Sequence, residues 1–349
     1  MATLQSALTH ARALFALAPA QNDHLAAFRV ALSVAVPSLA LLLLGRTDLI
    51  IYAVFGAFTA MYGRAESHQL RLRHQLQAAC LLLAGVGTGI LLSAQRVDPW
   101  ALVATEAAFA ALASLGADRA GLRPAGPFFS IFALGACASV PLSVAPGAAL
   151  LIAAGSAAFS VLVGCAGWAR TRRWAPGAAR QVPPLRGPRL AAATTQASRY
   201  LVAVAAAGTI GLLAGIGHPH WAMAAAAVPL AVEGTTRRVY RGIHRILGTF
   251  AGLGVTAIVL FADPGATVLA LLVIAFQFPT ELYMARHYGL ALVFFTPLIL
   301  IMTQLAAPAD PGSLIMDRGL ETLLGALAGI ATALVLKGPR NRTGTGAHA

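Results

Sequence analysis

HLAAFRVALSVAVPSLALLLL, residues 24–44, carries one formal charge, Arg29, in a run long enough to cross a bilayer. As an α-helix it would rise about 30 Å, the thickness of the hydrocarbon core. Similar runs follow at about 48–62, 74–93, 99–116, 125–141 and 146–168, then at 197–216, 220–235, 243–262, 265–281, 288–306 and 313–336. The pattern predicts an all-α, polytopic helical membrane protein with about twelve transmembrane helices. The second, fifth and eighth runs are shorter than the ~20 residues of a perpendicular span, which allows a broken or re-entrant helix there.

Composition supports this solvent. Of 349 residues 58% are hydrophobic and 11% charged, and the mean hydropathy is +0.75, whereas a soluble domain carries about 25% charge. The net charge of +13 would suit nucleic acid, but only one basic residue is a lysine and most lie in gaps between apolar runs, as in cytoplasmic loops. Nucleic acid is therefore not expected as a partner. Cys80, Cys137 and Cys165 lie inside apolar runs without a CxxC pair, so they read as small core residues rather than a disulfide or zinc framework.

Loop charges test the count of spans. One side collects Arg12, then Arg64, Arg71 and Arg73, then Arg119 and Arg123, six arginines from Arg170 to Arg189, Arg237, Arg238 and Arg241, Arg286, and finally Lys337, Arg340 and Arg342. The other side has Arg46 and Arg96, near Asp48 and Asp98, and later Asp263 and Asp310. The positive-inside rule then predicts a multi-pass protein of the inner or plasma membrane with both termini cytoplasmic.

Sliding the chain by 170 residues sets Ala27 and Arg29 over Ala197 and Arg199, Gly45 over Gly215, Arg71 over Arg241 and His74 over His244. A small slip brings Pro146-Gly147 over Pro311-Gly312. Two parallel six-helix repeats are expected, related by an axis along the membrane normal and framing a central pathway. The chain so divides into a cytoplasmic or interfacial segment (1–23), a first membrane repeat (24–168), a basic irregular linker (169–196), a second repeat (197–336) and a disordered tail (337–349). In the first of these Leu4, Leu8, Ala11 and Phe15 fall on one helical face. The apolar stretch Ala13 to Ala18 is too short for a signal peptide.

Ionisable residues within spans carry the strongest functional signal, since one at a helix centre costs about 2.5–3.5 kcal/mol and by default faces an interior pathway. Glu106, Arg318 and Glu321 qualify best. Arg318 and Glu321, three apart, can share a face as an ion pair. The arginine could hold a substrate carboxylate while the glutamate exchanges a proton, or the two could simply neutralise each other. Glu233, Arg237, Arg238, Arg241, His244 and Arg245 crowd one short loop, and with Arg29 and Arg199 would form a positive vestibule for an anion. Snorkelling arginines that enforce topology are the bland alternative. Substrate-binding candidates are thus Arg318, Arg29, Arg199, Arg241 and Arg245, and proton-coupling candidates are Glu321, Glu106 and Glu233.

Gly248 with Gly252 and Gly325 with Gly329 have the spacing of close helix contacts. Pro37, Pro229, Pro279 and Pro297 interrupt spans. His218-Pro219-His220 reads as a turn beside an interfacial Trp221 rather than as a metal pair. Walker A, GxSxG and HExxH patterns are absent from the sequence, so no enzyme activity, metal or cofactor is expected.

His244-Arg245-Ile246-Leu247-Gly248-Thr249, after a basic loop, resembles the R-x-x-G-T signature of FUSC-like proteins, the fusaric acid resistance and aromatic acid exporter group, and Trp221-Ala222 one helix earlier fits it too. Arg318-Gly319-Leu320-Glu321-Thr322-Leu323-Leu324-Gly325 is similar to that family's R-x-x-D-T-x-x-G pattern, with Glu for Asp. The resemblance is clearest over about 197–336. It implies proton-driven export of aromatic carboxylic acids or related toxic compounds, and distant plant relatives include anion channels. Many members have a substantial soluble domain where this chain has a short linker, which puts any role of such a domain in doubt. The expected function is secondary export of small organic anions, with a passive anion channel and a non-transporting scaffold as alternatives. Expected partners are the lipid bilayer, a small organic anion and protons; homo-oligomerisation is left open.

Overall fold

The computed structural model describes residues 16–20, 23–64, 66–171 and 184–336, except the side chains of 168–171. The interfacial helix expected near the N-terminus, the tail from 337 and most of the linker lie outside the described residues. The first six helices are α1 (Asp23–Leu43), α2 (Ile50–Ala57), α3 (His68–Gln95), α4 (Pro99–Ala120), α5 (Phe128–Ser139) and α6 (Pro146–Thr171). The next six are α7 (Pro188–Leu213), α8 (Pro219–Leu230), α9 (Thr235–Phe261), α10 (Ala266–Met284), α11 (Tyr288–Ala306) and α12 (Pro311–Val335). Single 3-10 turns, Thr47–Leu49 and Phe58–Met61, flank α2.

All regular structure among the described residues is helical, which makes this a polytopic helical membrane protein. Twelve α-helices are described, and nine of them are by themselves long and apolar enough to cross a membrane. The exceptions, α2, α5 and α8, arise from the three runs that were short in the sequence. Sequence also placed the irregular linker over 169–196, but α6 continues to Thr171 and α7 begins at Pro188.

Local chemistry sets the boundaries. Pro99, Pro188, Pro219 and Pro311 occupy the first turn of their helices, where a missing N–H costs nothing. The Asp98 carboxylate accepts from the Trp100 N–H at 2.7 Å and Asp310 from Ser313 at 2.8 Å, capping α4 and α12. Gly45 and Gly215, aligned in the sequence repeat, both take left-handed φ values, +67° and +69°, just past the ends of α1 and α7. A side chain there would be strained, so the chain stops helically at matching places.

The short helices lie inside. Every residue of α2 and α8 is buried, and so is most of α5 and α11. Helices apolar all round belong in a protein interior. They need not be 20 residues long, because helix ends at membrane depth are tolerated where protein rather than lipid surrounds them. The longer helices wrap them, with Leu151, Leu162, Leu213, Ile258 and Phe261 exposed on the outside, where a bilayer would cover them. Cys80 is also exposed, which corrects its reading as a core residue; Cys137 is buried, and all three cysteines are free.

Helix packings recur six elements on: α3 with α5 and α9 with α11, α2 with α6 and α8 with α12, α3 with α6 and α9 with α12. Between the halves, α1 packs on α10 as α7 packs on α4, and α2 on α11 as α8 on α5.

Candidate functional site

Two cavities indent the bundle from opposite ends. One, of about 650 Å³, opens at the arginine-rich end and is lined by Arg64, Arg123, Arg241, Glu281 and Tyr288, with Phe128, Phe129 and Phe295 also in its wall. The other, of about 810 Å³, is lined by Ser93, Arg96, Ser139, Pro146, Ile216 and His218. Between them the inner helices hold a packed aromatic cluster in which Phe55, Phe58, Phe128, Phe129, Phe132 and Phe295 meet at centroid distances of 5.0–6.4 Å.

A line of charged groups runs alongside that cluster. Arg241 and Arg245 stand one turn apart on α9. The Arg241 guanidinium lies 3.5 Å from the centre of the Tyr288 ring, and Arg245 Nη1 donates to the Tyr288 hydroxyl at 3.4 Å. Arg245 is fully buried, 5.5 Å from the Phe128 ring centre. Next comes Arg318 on α12, also fully buried, 5.1 Å from the Trp221 ring and 5.6 Å from that of Phe132. Aromatic faces attract cations and are the natural lining for a guanidinium that must leave water. Arg318 interacts electrostatically with both Arg245 and Glu321.

The expected ion pair between Arg318 and Glu321 is corrected. All three guanidinium nitrogens of Arg318 and both carboxylate oxygens of Glu321 are buried and lack a hydrogen-bond partner in the protein. The backbone of His218 approaches Glu321 outside hydrogen-bonding geometry. Glu106, buried on α4, likewise has two unpartnered oxygens and lies against Gly135 of α5. Leaving such groups unpaired costs far more than a neutral polar atom.

The remaining candidates lie elsewhere. Arg29 donates to the Arg64 carbonyl at 2.8 Å, while Arg199 donates to the Leu336 carbonyl at 2.8 Å and to Gln196 at 3.0 Å. Both arginines are held by partners at the arginine-rich end, Arg29 by the α2–α3 connection and Arg199 by the end of α12 and by α7. Glu233 is exposed in the turn between α8 and α9, apart from the buried groups. The packing glycines do meet backbone: a Cβ on Gly248 would strike the Gly289 carbonyl, on Gly325 the Ala222 carbonyl and on Gly329 the Ala226 carbonyl, while on Gly252 it would sit 2.7 Å from the Leu292 carbonyl.

Sequence reasoning misplaced Trp221 at the interface; it is fully buried, stacked on His218 at 4.5 Å. It also missed Tyr288, Phe128 and Phe132, which line the arginines, and the contact of Arg64 with Glu281 at 3.3 Å that joins the two halves. No group of three or more metal-binding side chains occurs among the described residues.

Fold and site together define a multi-pass helical membrane protein with unpaired charges buried between two opposed cavities. Residues 204–332 match the family described as fusaric acid resistance protein-like, so the resemblance carried by the Arg245 and Arg318 motifs is met across the second half. The uncharacterized membrane protein YvaC of Bacillus subtilis (strain 168) is 26% identical over 142 residues, which cover 40% of this chain and 22% of that protein. The matched portion is thus about a fifth of that relative's length. No solved structure matches.

Proposed function

We propose that the protein is a secondary transporter that exports small organic anions, aromatic carboxylates foremost, in exchange for protons. One observation carries this reading: Arg318 is fully buried with three unpartnered nitrogens, between the Trp221 and Phe132 rings and one turn from an equally unpartnered Glu321. A planar carboxylate fits the guanidinium fork bidentately, and its aromatic ring would find apolar faces already in place. The family match over residues 204–332 supports transport in general. Arg241, in the cavity wall at the arginine-rich end, draws anions inward, and Arg245 lies between it and Arg318.

A proton on Glu321 and a carboxylate on Arg318 influence each other through this interaction. Loading of the two groups is therefore linked, and exchange requires that only the singly loaded forms, anion on Arg318 or proton on Glu321, turn between the two faces. The test is gradient-driven efflux by Glu321→Gln and Arg318→Gln in liposomes. Glu321→Gln is expected to abolish uphill export while the protein stays folded and inserted. Arg318→Gln is expected to weaken substrate binding by roughly ten- to hundredfold, as befits loss of a charge-assisted contact. Normal coupled flux in Glu321→Gln would overturn the coupling role, and unchanged binding in Arg318→Gln the substrate role.

A further inference from the structure

At the end opposite the arginines, His218 Nδ1 lies 3.0 Å from an Asp317 carboxylate oxygen. Both side chains are about a quarter exposed, 27% and 24%, and His218 lines the larger cavity. Asp317 is one helical turn from Glu321 on α12, and the two carboxylates interact, with the His218 backbone beside them. The dyad therefore joins a wide cavity to a buried acid that has no hydrogen-bond partner of its own.

From the geometry of this dyad, the cavity and the buried acid we infer that His218 and Asp317 form a proton-exchange station that loads and unloads Glu321 from the face opposite the arginines. The inference rests on the coupled-transport reading only for its purpose. With Nδ1–H donated to Asp317, which fixes the tautomer, Nε2 exchanges a proton with cavity water and passes it inward to the Glu321 carboxylate; no other bond changes. The charged and titratable groups facing this route are Arg318 on α12 itself, Arg245 on α9, Tyr288 on α11, Glu106 on α4, His220 on α8 and Arg96 in the cavity wall. From α7 the wall is Leu212 and Ile216. His220, buried on α8, is bonded at 2.8 Å to Oγ of Ser139, itself in the cavity wall.

The experiment measures protonation of Glu321 without any substrate. Full-length protein in vesicles of known orientation is treated with dicyclohexylcarbodiimide, which modifies protonated buried carboxyls, at different pH on the two sides. Trypsin cleavage after Arg318 leaves Glu321 as the only carboxylate side chain in the peptide from Gly319 to Lys337, so mass spectrometry reads it apart from Asp317. Labelling in the wild type is expected to follow the pH of the His218 face. In H218Q and in D317N that dependence is expected to weaken roughly tenfold or more, with D317E restoring it; a purely structural dyad would change stability but not sidedness. Wild-type labelling that follows the arginine-rich face, or both variants labelling as the wild type does, overturns the inference. If sided labelling is found but the wild type shows no gradient-driven flux, the transport reading falls and the station stands. If wild-type flux is coupled and both variants couple normally, the station falls and the transport reading stands.

Discussion

Arg71 and Arg241 stand at aligned positions of the sequence repeat, yet the fold employs them differently. Arg71 donates to the carbonyls of Glu66 at 2.6 Å, Gly164 at 3.0 Å and Gly63 at 3.1 Å, so its charge is spent on backbone carbonyls of the α2–α3 connection and of α6. Arg241 faces a cavity over a tyrosine ring and its Nε has no partner. Likewise Arg245 aligns with Gln75, a buried amide beside Gly164. Arg71→Met is expected to lower the thermal midpoint in detergent, since each orphaned carbonyl costs about 1–3 kcal/mol. Arg241→Gln should leave that midpoint nearly unchanged and instead weaken substrate capture at low salt, where long-range attraction counts most. Equal stability losses in both would contradict this division. Charges inside apolar runs were legible in the sequence because they contrast with their surroundings, which is how Arg318, Glu321 and Glu106 stood out. Phe132 and Trp221 lacked that contrast, being apolar among apolar. The partnership of His218 with Asp317 spans 99 residues, which no local pattern encodes.

At the scale of elements, the glycine pairs separate two kinds of helix face. Gly248 of α9 lets the backbone of α11 approach so closely that a methyl group would meet a carbonyl, whereas Gly254, on the outer side of the same helix, has nothing within 4 Å of an added Cβ. Gly248→Ala is expected to destabilise by about 1–3 kcal/mol through overpacking, and Gly254→Ala to stabilise by roughly 0.4–1 kcal/mol through helix propensity alone. Thermal unfolding of the two variants side by side checks this, and a loss of stability in Gly254→Ala would show that its face is packed rather than lipid-exposed. Run length located every described helix and marked as short the three, α2, α5 and α8, that lie inside the bundle. The sequence reading continues the eighth apolar run to 235, whereas α8 stops at Leu230, one residue after Pro229 and ahead of Glu233 and Gly234, the latter at φ +83°.

Across the whole molecule, the recurrence of helix packings six elements apart supports the proposal of two parallel repeats related by a two-fold axis. The proposed substrate and coupling groups Arg241, Arg245, Arg318 and Glu321 nonetheless all lie in the second half, with Phe128 and Phe132 of α5 against the arginines. With the slip that aligns Pro146 and Pro311, Arg318 falls over Ala153 and Glu321 over Ser156, and Ala153 packs directly on Gly56. The positions that answer to the charged pair thus hold small residues in packed contact, so the proposed site has no charged counterpart in the first half. The proposed orientation, with the arginine-rich end cytoplasmic, predicts that a cysteine placed at Asp263 or Asp310 in a cysteine-free background reacts with impermeant maleimide from outside intact cells, while one at Arg237 or Arg286 does not. The reverse pattern would invert the topology and turn the proposed direction of export around.

Uphill movement of a labelled hydroxybenzoate by the purified wild-type protein in liposomes, with and without an imposed pH gradient and against protein-free liposomes to subtract leakage of the free acid, bears most directly on the central claim. Coupling through Arg318 and Glu321 predicts protein-dependent flux that accelerates with the gradient and accumulates solute against its own concentration. Flux that runs only downhill at every gradient would contradict it and leave a passive anion pathway in its place.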